Sequence, residues 1–255
     1  MIRLRARQNL NKVIELTKAD FNVRYRNTFF GCLWSVISPL LLLVSLYIVF
    51  SIVMKLDIEN YQIFLLIGII VWNFFVESTT LSMNSLISKA DLIKKMKFPI
   101  GILVLSSCLN SLINLLMSSI ILVAMMVFFR IRLSPAMLPV LFYVFLLFVL
   151  ALGISYLLSA FYLFFRDLTH IWSFLTLIGF WITPIIYSET QIPLIYRGAY
   201  MLNPLARLIN HIRDILLNNY FSLEQTVITV IICYMILIVG IYFFNRHSSS
   251  FAEEL

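Results

Sequence analysis

Charge is scarce in this chain: Asp, Glu, Lys and Arg make up 12% of its 255 residues, against about a quarter in a soluble domain. With 62% hydrophobic residues and a mean hydropathy of +0.97, it carries more apolar surface than a water-soluble fold of this length can bury. Cysteine is limited to Cys32, Cys108 and Cys233, far apart in apolar runs. That excludes a disulfide framework and a C-x-x-C metal site, and leaves them as apolar filler. None of the seven glycines is followed by Lys, so no G-x-x-x-x-G-K-[ST] loop is present to cradle nucleotide phosphates. His170, His211 and His247 show no H-E-x-x-H or other metal spacing, and no serine sits in a nucleophile elbow. No catalytic residue, cofactor or metal is therefore assigned to this chain; membrane glycosyltransferases with scattered acids are the one enzymatic class these absences leave open.

What the chain has is long apolar runs. A spanning helix needs about 20 mostly apolar residues, because each backbone N–H and C=O in hydrocarbon has to be satisfied within the segment. Leu33 to Met54, Phe98 to Phe129, Leu138 to Phe165 and Val227 to Phe244 contain no Asp, Glu, Lys or Arg. Tyr61 to Leu86 carries one acid, Glu77, and Ile171 to Tyr187 is shorter and holds Pro184. These runs predict an all-α membrane protein with six spans: residues 1–30 form a cytoplasmic arm, 31–244 the membrane domain and 245–255 a cytoplasmic tail. Thirteen of the nineteen bases fall on the side of the N-terminus, and the positive-inside rule then puts both termini in the cytoplasm. The bases collect at segment ends instead of on one face, which fits anionic lipid headgroups and not nucleic acid. Residues up to Gly31 lack the early apolar core of a secretory signal, so no cleavable leader is expected.

In the arm, Leu10, Val13, Ile14, Phe21 and Tyr25 recur at helical spacing opposite Lys12, Glu15, Lys18, Asn22 and Arg26. This pattern predicts an amphipathic helix along the membrane surface; the plainer alternative is a solvated helix ahead of the first span. Between the last two spans, Asn203-Pro204 offers a cap and a first-turn proline, followed by an apolar face of Leu205, Leu208, Ile209, Ile212 and Leu216. One or two short helices dipping into the outer leaflet are expected there, an exposed surface helix being the alternative.

Polar side chains inside a membrane need a partner or a purpose. Asn73, Glu77, Thr80 and Asn84 follow i, i+4, i+7, i+11 and share one stripe of the second span. The stripe either faces a hydrated pathway or joins packed helices by hydrogen bonds, with Glu77 neutralised by burial. Ser107, Asn110, Ser111, Asn114 and Ser118 in the third span, and Ala151, Ser155 and Ser159 in the fourth, read first as packing contacts. Trp72, Phe75, Tyr162 and Trp181 are interface anchors, core, or faces on which sugar rings stack.

The ordered set Arg24-Tyr25-Arg26, Gly31, Trp34, Pro39, Lys97-Phe98-Pro99, Phe164-Phe165-Arg166-Asp167, Trp181 to Tyr187 and Asn203-Pro204 resembles the ABC-2 permeases. More narrowly, it resembles the exporters of O-antigen, capsule and teichoic acid. The resemblance implies a bacterial inner-membrane permease that works as two copies with two ATPase subunits and moves a lipid-linked polysaccharide outward. ATP and Mg would be bound by those partners. Candidate levers for coupling are then the surface helix, with Leu10, Val13, Ile14, Phe21, Arg24 and Arg26; the Ile87 to Lys97 loop, with Lys94, Lys95 and Lys97, and Phe98 beside it; and the Arg166-Asp167 turn. The three lysines would pair with acids on the ATPase or anchor to anionic lipid. A polymer cannot be enclosed in one cycle, so it would run through a channel between the two copies, lined by Trp72, Asn73, Phe75, Glu77, Thr80, Asn84, Tyr162 and Trp181. The alternatives are an ABC-2 exporter of a drug or small lipid, a purely structural membrane subunit, and an ion-coupled secondary transporter that binds a proton or cation at Glu77.

Overall fold

The computed structural model describes residues 2–26, 31–95, 99–132, 134–248 and 251. Among these there is no β-strand, and the chain runs through α1 (Ile2–Tyr25), α2 (Trp34–Tyr47), α3 (Tyr61–Ser88), α4 (Ala90–Lys95), α5 (Gly101–Phe128), α6 (Pro139–Phe164), α7 (Leu168–Ile182), α8 (Leu194–Tyr200), α9 (Pro204–Asn218) and α10 (Leu223–His247). Five elements are long and apolar enough to cross a membrane: α2 with the π turns that extend it to Val53, then α3, α5, α6 and α10.

The expected span from Ile171 to Tyr187 differs from the other five. Its helix, α7, has 15 residues, about 22 Å at 1.5 Å per residue, against an apolar bilayer core of about 30 Å. Pro184 sets that limit, because the residue before a proline is pushed out of the helical region, and Thr183 is extended (φ −74°, ψ 141°). The chain goes on through a bent segment in which Ile185 and Ile186 are buried.

Helix α3 is the axis of the bundle. Ile63, Leu65, Leu66, Ile69, Met83 and Leu86 along it are fully buried, and α2, α5, α6, α7 and α9 all pack on it. Helices α2, α5 and α10 instead keep broad apolar faces turned outward, as lipid contact requires. The seam of α3 with α5 and α6 is close because small side chains meet there: Ser82 Oγ lies 3.1 Å from Cys108 Sγ, which lies 3.4 Å from Ser155 Oγ. Ser107, Ser111, Ala151 and Ser159 are buried in keeping with a packing role. A close backbone approach also occurs between Gly153 of α6 and Gly240 of α10. A Cβ on Gly240 would strike the Gly153 carbonyl, and one on Gly153 would sit 2.8 Å from the Leu237 backbone. Phe251 is fully buried with its ring 5.1 Å from Phe244, in a cluster with Leu16, Leu86, Leu103 and Leu163.

Helix α9 forms as its sequence dictates. The Leu205 N–H donates to Asn203 Oδ1 at 3.0 Å, Pro204 fills the first turn, and Leu205, Leu208, Ile209, Ile212 and Leu216 are buried on the side of α3 and α6. Arg213 is buried too, at 4% exposure. Its guanidinium donates to the carbonyls of Phe64 (2.9 and 3.1 Å), Pro184 (2.5 Å) and Ile185 (2.7 Å) and lies 3.4 Å above the Phe64 ring centroid. The bent segment after α7 has carbonyls that no helix satisfies, and the planar fork of an arginine supplies several donors at once. Gly68 makes room for it, since a Cβ there would sit 2.7 Å from Arg213 Nη2. The Tyr61 hydroxyl, donating to the Ile186 carbonyl at 3.0 Å, completes this corner.

Replacing Arg213 with Met strips the Pro184 and Ile185 carbonyls of their donor at roughly 1–3 kcal/mol each. The detergent-solubilised protein is expected to melt well below an Arg132→Met control, whose side chain is exposed; equal melting temperatures would show that the corner holds without Arg213. Gly240→Leu is expected to separate α6 from α10, read as loss of the monodisperse peak in size-exclusion chromatography.

Candidate functional site

Between α2, α3 and α5 the helices part around a cavity of about 730 Å³. Pro39 shapes its α2 wall. Having no N–H, it leaves the Ser35 carbonyl without the donor that a helix supplies four residues on, and Ser118 Oγ of α5 donates to that carbonyl at 2.9 Å instead. Ser35 Oγ donates to Asn114 Oδ1 at 3.3 Å, and Asn114 Nδ2 donates to Glu77 Oε1 at 2.6 Å. Glu77 is also ion-paired with Arg24 of α1. One chain of polar contacts thus runs from α2 through α5 and α3 to α1 along the cavity wall. Trp72, Asn73 and Thr80 line the same space, opposite Trp34 and Ser38.

Glu77 therefore does two things from one position: it borders a cavity and it joins helices. In this arrangement its carboxylate is not bare, since Arg24 pairs with it. The rest of the expected pathway set disperses. Asn84 does not line the cavity, and its Nδ2 donates to the Thr80 carbonyl one turn back at 2.9 Å. Phe75 turns to α7, its ring 6.1 Å from that of Trp172, whose Nε1 donates to Thr79 Oγ1 at 3.1 Å. Trp72 borders the cavity and also fills the space over Gly179, where a Cβ would meet its ring at 2.8 Å. Tyr162 lies near the end of α6 with the Arg166 guanidinium 5.8 Å from its ring centroid, and Trp181 is 54% exposed on α7.

The arm is a helix, and the face it packs on the protein shares only Val13 with the strongly apolar set expected along the membrane surface. Val13 and Thr17 are buried where α1 packs on α5, and Leu16, Asp20 and Arg24 continue that side, whereas Leu10 (60%) and Ile14 (43%) are exposed. Hydrophobicity alone misplaces this seam because a hydroxyl and two charges belong to it: Thr17 Oγ1 donates to the Val13 carbonyl at 2.8 Å, and Asp20 and Arg24 find partners on or beside α3. Phe21 is half-buried and Arg26 exposed.

Of the expected coupling residues, Lys94 is exposed on α4 and Lys95 ends that helix, while Lys97 and Phe98 lie outside the described residues. Arg166 and Asp167 are exposed in the turn between α6 and α7. The Asp167 carbonyl accepts from the His170 and Ile171 N–H groups at 3.0 and 3.2 Å, so its backbone starts α7 while its carboxylate makes no cap bond. Sequence reasoning passes over Arg24, Ser35 and Ser38 as cavity residues. A signal for the first exists, since a lone acid in the spans calls for a cation close by.

Residues 11–217 match the ABC-2 type transporter family, a stretch that includes the packed face of α1, every residue of the polar chain and nearly all of α9. An O-antigen export system permease protein RfbA of Klebsiella pneumoniae is 33% identical over 259 aligned residues, which cover 99% of both chains. A second protein of that name from Klebsiella pneumoniae is 32% identical over 95% of this chain and 94% of its own length. One from Myxococcus xanthus is 32% identical over 71% of this chain and 69% of its own. With its helices, its cavity and this end-to-end likeness in agreement, the chain belongs to the ABC-2 type transporter family.

Proposed function

We propose that this chain is the permease subunit of an ABC exporter that moves a lipid-linked polysaccharide from the cytoplasm to the outer face of the bacterial inner membrane. The observation that carries this reading is the likeness to O-antigen export permeases over 99% and 95% of the chain, which spans the arm, the cavity and the corner built on Arg213. In this reading α7 and the bent segment up to Tyr187 complete a sixth crossing, and α8 with α9 re-enters the outer leaflet. Both termini then share the cytoplasmic side with thirteen of the nineteen bases.

The chain brings no phosphate-binding loop, so ATP and Mg belong to a separate ATPase subunit, and two copies of each subunit make the exporter. Motion of the ATPase enters through α1, through Lys94, Lys95, Lys97 and Phe98, and through the Arg166-Asp167 turn. Sugar hydroxyls meet Asn73, Thr80 and Glu77, with the aromatic rings of Trp72 and Trp34 lining the same cavity. The pathway stays continuous between two copies, because a polymer outlasts any single cycle.

In cells lacking their own copy, this permease expressed with its ATPase is expected to restore surface polysaccharide. An ATPase variant that binds but does not hydrolyse ATP should leave the polymer inside, read by immunoblotting intact against lysed cells. Surface polymer at the normal level with that variant would refute ATP-driven export. Reversal of charge at Lys94 and Lys95 together is expected to reduce recovery of the ATPase with the tagged permease several-fold at equal membrane abundance; unchanged recovery and transport-coupled hydrolysis would assign these lysines to lipid.

A further inference from the structure

Two ion pairs tie the arm to the central helix. Asp20 and Arg24 are one turn apart on the same side of α1. Lys89 Nζ, just past the end of α3, donates to Asp20 Oδ2 at 2.5 Å, and Arg24 pairs with Glu77 within α3. Glu77 lies eleven residues before Ser88, about 16 Å of helix rise, so the inner pair acts deep in the bundle and the outer one at its rim.

The inner pair is poorly suited to a purely structural role. Both side chains border the cavity, with 38% of Arg24 and 23% of Glu77 exposed, and a pair that open to solvent adds little stability. The arm is held without it, by Val13 and Thr17 against α5 and by Asp20 at Lys89. At the same time Glu77 is the hub of the contacts that reach Asn114 and, through it, Ser35. A weak contact at the hub of a buried polar chain, open to a cavity and carried on the arm, is placed to be exchanged.

We propose that the Arg24–Glu77 pair is an exchangeable gate on the cavity: when the ATPase moves α1, Arg24 leaves Glu77, and hydroxyl groups of the sugar donate to the freed carboxylate in its place. A carboxylate at this depth needs donors whichever state the arm is in. Asn114 supplies one in both states, and either the guanidinium or the cargo supplies the rest. Arm and cargo therefore compete for the same oxygens. By linkage, sugar in the cavity favours the displaced arm to the extent that the displaced arm favours sugar. The identity of the hydroxyls rests on the polysaccharide reading above; the movement of the arm does not.

The test is crosslinking of Arg24→Cys/Glu77→Cys in membranes that contain the partner ATPase, in a Cys32→Ser background. Cys108 and Cys233 are buried and do not compete. An arginine–glutamate pair holds its backbones farther apart than a disulfide spans, so a short bis-maleimide is the reagent. The crosslink is expected to form readily without nucleotide and roughly tenfold more slowly after trapping with ATP and orthovanadate, as for a contact more than nine-tenths open in that state. Equal rates in the two states would overturn the gate. The charge exchange Arg24→Glu/Glu77→Arg separates gating from packing, because it restores an ion pair but puts a cation where hydroxyls must donate. At normal membrane abundance it is expected to export roughly tenfold less polymer, whereas full export would reduce the pair to a structural contact and overturn the cargo exchange. A crosslink that responds to nucleotide in a complex whose unmutated form exports no polysaccharide would support the moving arm and count against the cargo assigned above.

Discussion

Hydrocarbon offers no hydrogen bonds, so every polar atom that enters it has to be met from within the chain. Two charged side chains that reach α3 impose that demand most strongly. Glu77 is met by Arg24 from the arm and by Asn114 from α5; Arg213 is met by the carbonyls of Phe64, Pro184 and Ile185. Each charge draws together elements that are otherwise interchangeable apolar cylinders. The first links α2 and α5 to the middle of α3 and gives the arm a contact there, and the second sets where α9 and the end of α7 lie near its start.

Proline supplies the open valences that these charges and hydroxyls use. Pro39 frees the Ser35 carbonyl for Ser118, and Pro184 ends α7 early enough to expose the carbonyls that Arg213 takes. In water such openings would simply be hydrated. In a membrane they become sites of attachment between helices, because lipid tails are as apolar as leucine and supply no hydrophobic force to bring helices together. The remaining association comes from close approach of small residues, with Ser82, Cys108 and Ser155 on one seam and Gly153 against Gly240 on another. The cavity between α2, α3 and α5 is bordered by larger side chains as well, Trp34 and Trp72 among them.

Long apolar runs announced six spans, five of which are helices long and apolar enough to cross a membrane, because hydropathy depends only on composition along one segment. The start of α9 was equally legible, since an Asn cap, a first-turn Pro and a 3.6-residue apolar period are local properties. The packed face of the arm was not. Its pattern of Leu10, Val13, Ile14 and Phe21 predicts contact with an apolar surface, but the surface it meets at Thr17, Asp20 and Arg24 is protein carrying a base and an acid of its own. Within a single chain the aromatic set does not converge on one cavity, for a similar reason. Phe75 and Trp72 belong to the fit between α3 and α7, Tyr162 to the end of α6, and no periodicity within one helix reports which neighbour a ring will face.

The amino-acid sequence by itself determined that this chain lives in a membrane, where its helices run, which end is basic and which residues are polar at bilayer depth. Those are properties of single segments in a given solvent. Only the tertiary structure decided that Glu77 is met by Arg24 from 53 residues away, and that Arg213 is a buried donor to backbone carbonyls. The physical reason is that a charge in a low-dielectric interior is satisfied by whatever donor or acceptor the fold carries within reach, and reach is set by helix packing and not by position in the chain.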